Sequence, residues 1–462
     1  MSAYRPTIGL EIHAELKTRT KMFCDCRNDP DEKEVNAHVC PICLAHPGTL
    51  PTANKEAVRH VLRVGTALGG TLADYTEFDR KSYFYPDIPK GYQISQYERP
   101  LVSGGELSGV QITRIHLEED TARSMHADDS SLVDFNRAGV PLMELVTEPV
   151  IHDAKTAANF ARDLQLLLRT LGASDANLEK GEMRVEANIS VSKGEELGTK
   201  VEVKNLNSFR SVERAIAFEV ERQIALLEKG EVVIQATRGW NEDKQQTFHQ
   251  RSKEGSADYR YFPEPDLPKL KLSELSEFSS ETLRASLPEL PWERVARYER
   301  EFKLKSSDSA FIVSDLDRIV FADRVLGLAK NEREIELSVN YFVSDLAGTP
   351  GNVTPEAYVA LMRLAASDAL SSRGTKEVLA IMVVSGGDPE QIAKEKGLMQ
   401  ISSKEDLRSA IETVLKEHAA VVTQYKEGKE SSLQFLVGQG MKATKGAGNP
   451  AVIKGLIEEL CR

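Results

Sequence analysis

Alternating apolar and polar residues near the N-terminus predict a strand with charged side chains on one face. From Ile8 to Leu16 every second residue is apolar, and Glu11, His13 and Glu15 occupy positions between them. This period is typical of a half-buried β-strand, so the three polar side chains share the face opposite the core. Residues two apart on a strand have Cα atoms roughly 6–7 Å apart. Glu11 and His13 can therefore contact one metal ion or one substrate group, although a solvated sheet face has the same pattern.

Later segments repeat the alternation and indicate a sheet. At 111–120, 182–191 and 200–205, Glu, His, Arg, Asn and Lys occupy alternate positions. Segment 140–146 is apolar on both sides except for Glu144, and an unpaired carboxylate is costly to bury. Glu144 is therefore predicted to be a functional acid or part of a buried ion pair. Several strands with one apolar face indicate an antiparallel sheet, with helices behind it and a cavity on its polar face.

Helical spacing replaces the strand pattern after the Pro-rich segment 287–291. The predicted fold class is α+β, with three parts. These are an antiparallel-sheet cradle with covering helices at 1–290, a helical domain at 291–400 and a small helical tail at 401–462.

Composition limits the location and the partners of the chain. No run of eighteen apolar residues is present, and the N-terminus lacks the apolar region of a signal peptide. We therefore expect a cytoplasmic protein without a membrane partner. The net charge of −12 excludes a surface that is basic throughout, so any nucleic-acid contact must come from a local patch. Lys442 and Lys445, beside glycines in the tail, are candidates for phosphate contacts, and a glycine-capped helical hairpin is the alternative.

Four of the five cysteines form two close pairs, Cys24 with Cys26 and Cys40 with Cys43. In a reducing compartment such pairs are more often zinc ligands than disulfides, and four thiolates complete a tetrahedral structural site. We predict a zinc loop at 24–43. His38 or His46 could replace one thiolate, and buried cysteines or a redox pair are the alternatives.

Six longer motifs lie at 8–16, 78–87, 116–120, 136–149, 203–209 and 258–266. In these motifs the chain resembles the GatB/GatE family of tRNA-dependent amidotransferase subunits, in its GatB branch, and its tail is similar to YqeY. The resemblance covers nearly the whole chain, in the family's order.

The resemblance implies a carbon–nitrogen ligase with glutamine as the amido-N donor. It implies a heterotrimer with the amidase (glutaminase) subunit GatA and the small subunit GatC, acting on misacylated tRNA. ATP would activate the side chain of Asp-tRNA(Asn), Glu-tRNA(Gln) or both as an acyl phosphate, which ammonia from the amidase would then attack. The tail would bind tRNA.

The resemblance also implies roles for particular residues. Lys90 and Glu119 match the exit of an ammonia tunnel, and Lys81 lies beside the active site. The residues that match the magnesium site are Glu11, His13, Glu118 and Glu144. The rival interpretations are a non-catalytic, zinc-containing tRNA-binding scaffold and an independent metallohydrolase.

Overall fold

The computed structural model describes residues 4–127, 129–252, 259–400, 403–444 and 448–461. The chain divides into two compact units, Met1–Leu290 and Pro291–Arg462. The predicted boundary near residue 400 lies inside the second unit and stays a prediction.

The first unit contains the strands. They are β1 (Arg5–Glu15), β2 (Thr71–Leu72), β3 (Tyr75–Thr76), β4 (Asp79–Ser82), β5 (Tyr92–Ser95), β6 (Val102–Ser103), β7 (Glu106–Leu107), β8 (Val110–Glu119), β9 (Arg123–Ala127), β10 (Ser130–Asp134), β11 (Pro141–Thr147), β12 (Met183–Ser192), β13 (Val201–Leu206), β14 (Ala236–Asn241), β15 (Gln246–Ser252), β16 (Phe262–Pro263) and β17 (Leu270–Lys271).

The largest sheet has the strand order β15-β14-β13-β12-β1-β11-β8-β6-β2, with β7 paired to β8. Strand β1 lies inside this sheet, antiparallel to β11 on one side and to β12 on the other. Its apolar residues Ile8, Leu10 and Ile12 are at most 1% exposed, whereas Glu11 and His13 are half-buried on the other face. The predicted alternation of β1 is confirmed.

Helices cover the apolar face of the sheet. In this unit they are α1 (Lys55–Ala67), α2 (Ala154–Thr170), α3 (Phe209–Glu228) and α4 (Ser280–Ala285), with short 3₁₀ turns at Leu272–Glu274 and Ser276–Phe278. Asp153 and Ser208 cap α2 and α3 by accepting hydrogen bonds from the backbone N–H groups of Thr156 and Ser211. The helices share one hydrophobic core with the sheet. The predicted α+β class with helices behind the sheet is confirmed.

One strand pair departs from the antiparallel prediction. Strands β13 and β14 are parallel, with Val201 opposite Ala236. Parallel neighbours need a crossover connection, and the helix α3 lies between them in the chain. Alternation within a strand is the same for both pairings, so the sequence pattern could not reveal this exception.

The second unit is helical in the part of the chain that the structure describes. Its helices are α5 (Pro291–Phe302), α6 (Ser306–Val313), α7 (Leu316–Leu328), α8 (Glu332–Ser344), α9 (Pro355–Ala366), α10 (Ser372–Ser385), α11 (Pro389–Glu395), α12 (Lys404–Glu417), α13 (Ala419–Lys426), α14 (Glu430–Ala443) and α15 (Pro450–Cys461). The tail helices have a hydrophobic core of their own, which includes Ile411, Leu436 and Ile453. Across the described residues, no helix combines the length and apolar character needed to cross a bilayer.

Candidate active site

Strand register brings together charged residues that lie far apart in the chain. His13 on β1 is directly opposite Glu144 on β11, and Glu144 is directly opposite His116 on β8. Glu11 lies two residues before His13, and Glu118 lies two residues after His116, so both project from the same face as these histidines. The polar positions of three adjacent strands therefore form one cluster.

The imidazole of His13 lies at the centre of this cluster. Its Nε2 is 3.4 Å from Glu144 Oε2, 3.4 Å from Glu118 Oε1 and 3.9 Å from Glu11 Oε1. Glu118 and Glu144 are nearly buried, with 2% and 5% of their surface exposed. The structure thus brings together all four residues that were predicted as magnesium ligands.

The neighbours of each group control its charge. Burial alone would lower the pKa of His13, but the hydrogen bond and charge of Glu144, with Glu118 and Glu11, raise it to about 9. Burial would raise the pKa of Glu144, yet contacts with His116 and His13 hold it well below its usual range. Burial and the charge of Glu144 raise the pKa of Glu11. Excess negative charge is therefore concentrated where a cation would bind.

The donor set fits a hard divalent cation. Ligand atoms of Glu11, His13 and Glu144 lie within 4.8 Å of one another, as do those of His116, Glu118 and Glu144. Carboxylate oxygens are the ligands that magnesium and manganese prefer, whereas an imidazole is more typical of the later transition metals.

Lys81 on β4 faces this cluster from an aromatic pocket. Its Nζ lies 5.0 Å from the ring centre of Tyr259 and 5.9 Å from that of Tyr83. Burial would lower the pKa of Lys81, but the charges of Glu118 and Glu144 raise it well above its ordinary value. Lys81 is therefore a fixed positive charge beside the carboxylates.

The acidic run 118–120 is divided among three sets of partners. Glu119 points to the face opposite Glu118, where Lys90 Nζ donates a 2.6 Å hydrogen bond to it and the Ile94 N–H donates another of 3.0 Å. Asp120 is paired with Arg184, and the charge of Arg184 outweighs burial and lowers the pKa of Asp120. The predicted pair of functional residues, Lys90 and Glu119, is thus in direct contact.

The four predicted cysteines also converge. Their Sγ atoms lie within 4.8 Å of one another, so Cys24, Cys26, Cys40 and Cys43 could hold a metal ion. Hydrogen bonding from the Cys24 thiol lowers the pKa of Cys43 to about 5, with help from the Cys40 N–H and the charge of Lys21. Ionisation of Cys43 is therefore favoured even before a metal binds.

A cavity of about 200 Å³ links the cysteine loop to the Lys90–Glu119 pair. Cys24, Cys43 and His46 line one part of its wall, and Lys90 and Glu119 line another. Much of the remaining lining is apolar, with Phe23, Ile42, Pro51, Pro89, Tyr92 and Ile94.

The sequence interpretation did not assign several residues that the structure adds to the site. His116 Nε2 lies 3.3 Å from Glu144 Oε2, and Ser95 Oγ donates a 3.2 Å hydrogen bond to Glu118. Lys204 Nζ lies 2.6 Å from Glu186 at the other edge of the cluster. His116 lies two residues before Glu118 in β8, so alternation predicts that both side chains project from the same face of the sheet. Which residue it meets depends on strand pairing.

The two predicted tRNA-binding lysines lie in the tail. Lys442 is exposed in the last turn of α14. Lys445 lies outside the described residues.

Comparison with known proteins finds a family model described as the GatB/GatE catalytic domain, which matches residues 6–276, and another described as the GatB domain, which matches 327–461. A protein of Persephonella marina is 41% identical over 99% of this chain and 100% of its own length. One of Thermus thermophilus is 43% identical over 99% of both chains. Both are named as a subunit of aspartyl/glutamyl-tRNA(Asn/Gln) amidotransferase.

Proposed function

The chain belongs to the GatB/GatE family, and from this membership we propose that it amidates the side-chain carboxylate of Asp-tRNA(Asn), Glu-tRNA(Gln) or both. It would do so as one subunit of a glutamine-dependent amidotransferase. The observation that carries the proposal is the cluster of Glu11, His13, Glu118 and Glu144, with Lys81 beside it.

The chemistry needs an activated carboxylate, because the oxygen of a free carboxylate is too poor a leaving group for ammonia to displace. A carboxylate oxygen attacks the γ-phosphorus of ATP, ADP leaves, and an acyl phosphate forms. The nitrogen of ammonia then attacks the acyl carbon, and inorganic phosphate leaves with the original carboxylate oxygen. The products are the side-chain amide, ADP and inorganic phosphate, and the phosphate takes up the proton that the nitrogen loses.

Phosphoryl transfer to a carboxylate brings two anions together, and this charge must be neutralised. Glu11, His13, Glu118 and Glu144 would hold magnesium, which when bound neutralises charge between the phosphates and the carboxylate. Lys81 stays protonated at neutral pH and would supply a second positive charge for the transferred phosphoryl group.

Ammonia would arrive from a glutaminase partner, GatA, in a complex with GatC. The cavity that Lys90 and Glu119 line also contains apolar side chains such as Phe23 and Ile94, and ammonia would enter it beside this ion pair. Glu119 accepts hydrogen bonds from Lys90 and from the backbone of Ile94, so the pair has one defined arrangement.

The cysteine loop would bind zinc in a structural role. A tetrahedron with Zn–S bonds of about 2.3 Å has edges of about 3.8 Å. The Sγ separations of 3.8 Å between Cys40 and Cys43 and 3.9 Å between Cys26 and Cys43 support this assignment. Four thiolates leave no open position for substrate.

The tail, residues 401–462, would act as a third domain that binds tRNA through Lys442 and Lys445. The cytoplasm, where ATP and aminoacyl-tRNA are available, is the expected compartment.

The test separates the ligase from a tRNA-binding scaffold. The chain is purified with its partner subunits, and ADP release is measured with misacylated tRNA in the absence of glutamine and ammonia. We expect tRNA-dependent ADP release that Glu144→Gln reduces by about a hundredfold or more, because one ligand oxygen becomes a neutral amide. Glutamine hydrolysis by the partner should be largely unchanged.

Glu148→Gln provides a matched control. Glu148 directly follows the strand that carries Glu144, and its Oε1 accepts a 2.8 Å hydrogen bond from Thr113 Oγ1 at the exposed surface. Near-normal ADP release by Glu144→Gln at saturating magnesium would contradict the proposal. Absence of tRNA-dependent ADP release in the wild-type complex would favour the scaffold.

A further inference from the structure

Glu144 lies between two histidines, and only one of them belongs to the predicted ligand set. Its Oε2 is 3.4 Å from His13 Nε2 and 3.3 Å from His116 Nε2. The register explains this arrangement, because His13 and His116 are the cross-strand neighbours of Glu144 on either side. Its other oxygen, Oε1, lies 3.7 Å from Arg114.

The two histidines differ in their surroundings. His116 is 2% exposed, and within the described residues its Nδ1 has no hydrogen-bond partner. A hydrogen on Nδ1 would be a buried donor without an acceptor, which is costly. The geometry therefore favours the tautomer with its hydrogen on Nε2, the nitrogen that lies 3.3 Å from Glu144 Oε2.

A nitrogen that carries this hydrogen cannot also donate a lone pair to a cation. His13 differs in its number of carboxylate neighbours, because Glu11, Glu118 and Glu144 all have an oxygen within 3.9 Å of its Nε2.

We propose that His116 is a positioning residue of the cation site, whose Nε2–H fixes the carboxylate of Glu144 in the orientation that binds the cation, while His13 is the imidazole ligand. The inference rests on the cation site of the proposed function. Hydrogen-bond partners of this kind restrict the ligand's rotamers before the metal arrives, and their removal typically costs 10–100-fold in metal affinity.

Two amide substitutions test which nitrogen of His116 positions Glu144. In His116→Gln the side-chain amide nitrogen is as many bonds from Cβ as Nε2 of histidine is. In His116→Asn the amide nitrogen is one bond closer to Cβ, at the position of Nδ1. Mn²⁺ is titrated into the full chain with its partner subunits, and free Mn²⁺ is measured by electron paramagnetic resonance. We expect His116→Asn to weaken Mn²⁺ binding by about 10–100-fold and His116→Gln by much less.

Thermal unfolding of each variant shows whether the fold is intact. Equal losses of Mn²⁺ affinity in both variants, or no loss in either, would overturn the proposal, because a role in packing alone does not distinguish the two nitrogens. If the variants do not fold, electron spin-echo modulation of Mn²⁺ in the wild-type complex decides. One directly coordinated histidine nitrogen supports the assignment, and two would overturn it.

These outcomes are separate from failure of the proposed function. A wild-type complex that binds no Mn²⁺ would remove the cation site and this inference with it. Normal Mn²⁺ binding that is insensitive to His116→Asn would remove only the role of His116.

Discussion

At the scale of single residues, the charge of each group in the cluster depends on neighbours that are distant in sequence. Glu118, Glu119 and Asp120 are consecutive acids, which would repel one another if they shared one environment. Instead, Glu119 points to the face opposite Glu118 and is paired with Lys90, while Asp120, just beyond the end of β8, is paired with Arg184. Only Glu118 remains directed at His13. The acid run therefore supplies one candidate ligand and two ion pairs.

The same reasoning predicts how pH affects cation binding. The raised pKa of His13, about 9, means that its imidazole holds a proton at neutral pH, which a cation must displace. Between about pH 7 and about pH 8.5 the apparent Mn²⁺ affinity should rise about tenfold per pH unit, and it should level off above the pKa. Titration of the assembled complex in buffers of constant ionic strength measures this. In His13→Gln the affinity should be lower and its dependence on pH weaker. A wild-type affinity that stays constant over this range would be inconsistent with His13 as a ligand.

At the scale of elements, the segment between β1 and α1 depends on tertiary contacts. It runs from Leu16 to Asn54 without a helix or a ladder strand, and so long a loop needs another source of order. Lys21 is fully buried, and its Nζ donates to the carbonyl oxygens of His38 at 2.7 Å and Phe135 at 3.0 Å. The cysteine cluster adds a second anchor.

Loss of one cysteine should therefore release the loop. Elemental analysis of protein purified without added metal should find about one zinc per chain, and Cys43→Ser should lose it. Thermal unfolding should occur about 5 °C lower, since metal binding contributes to folding. Cys461→Ser, at the end of α15, is the control and should keep its zinc. A zinc-free wild-type protein with four freely titratable thiols in the loop would disprove the assignment.

At the scale of the whole molecule, net charge and local charge have opposite implications for RNA. The chain carries −12 overall, while 401–462 contain nine Lys and Arg against eight Asp and Glu. The second unit has no strand among its described residues, and its last four helices form a separate hydrophobic core. tRNA phosphates would therefore meet less repulsion at the tail than the net charge of the chain implies.

Lys442→Ala should therefore weaken tRNA binding and reduce its salt dependence. If Lys442 meets one phosphate, the slope of log affinity against log salt should flatten by about 0.9. The effect should appear in KM for tRNA with little change in kcat, because a phosphate contact that does not touch the reacting groups is equally strong in the ground and transition states. Lys429→Ala, at the other end of α14, tests whether position matters. A fall in kcat at saturating tRNA with unchanged KM would place Lys442 in the chemistry instead.

Several features were determined by the sequence alone. The period of two in β1 placed Glu11 and His13 on one face, because backbone geometry alternates side chains whatever a strand pairs with. The cysteine spacing predicted a four-residue cluster, since a short loop brings such ligands together in any fold. The family motifs predicted the ligand set and the Lys90–Glu119 pair, and the structure brings both groups together.

Tertiary structure decided the rest. His13 lies more than a hundred residues before His116 and Glu144 in the chain. The three side chains meet because β1, β11 and β8 are neighbours in a fixed register. A shift of one residue would move every side chain of a strand to the other face. The parallel pairing of β13 with β14 likewise depends on the crossover through α3. Local pattern sets which face a side chain occupies, whereas non-local hydrogen bonding sets which neighbour it meets, and the chemistry of this cluster depends on the neighbours.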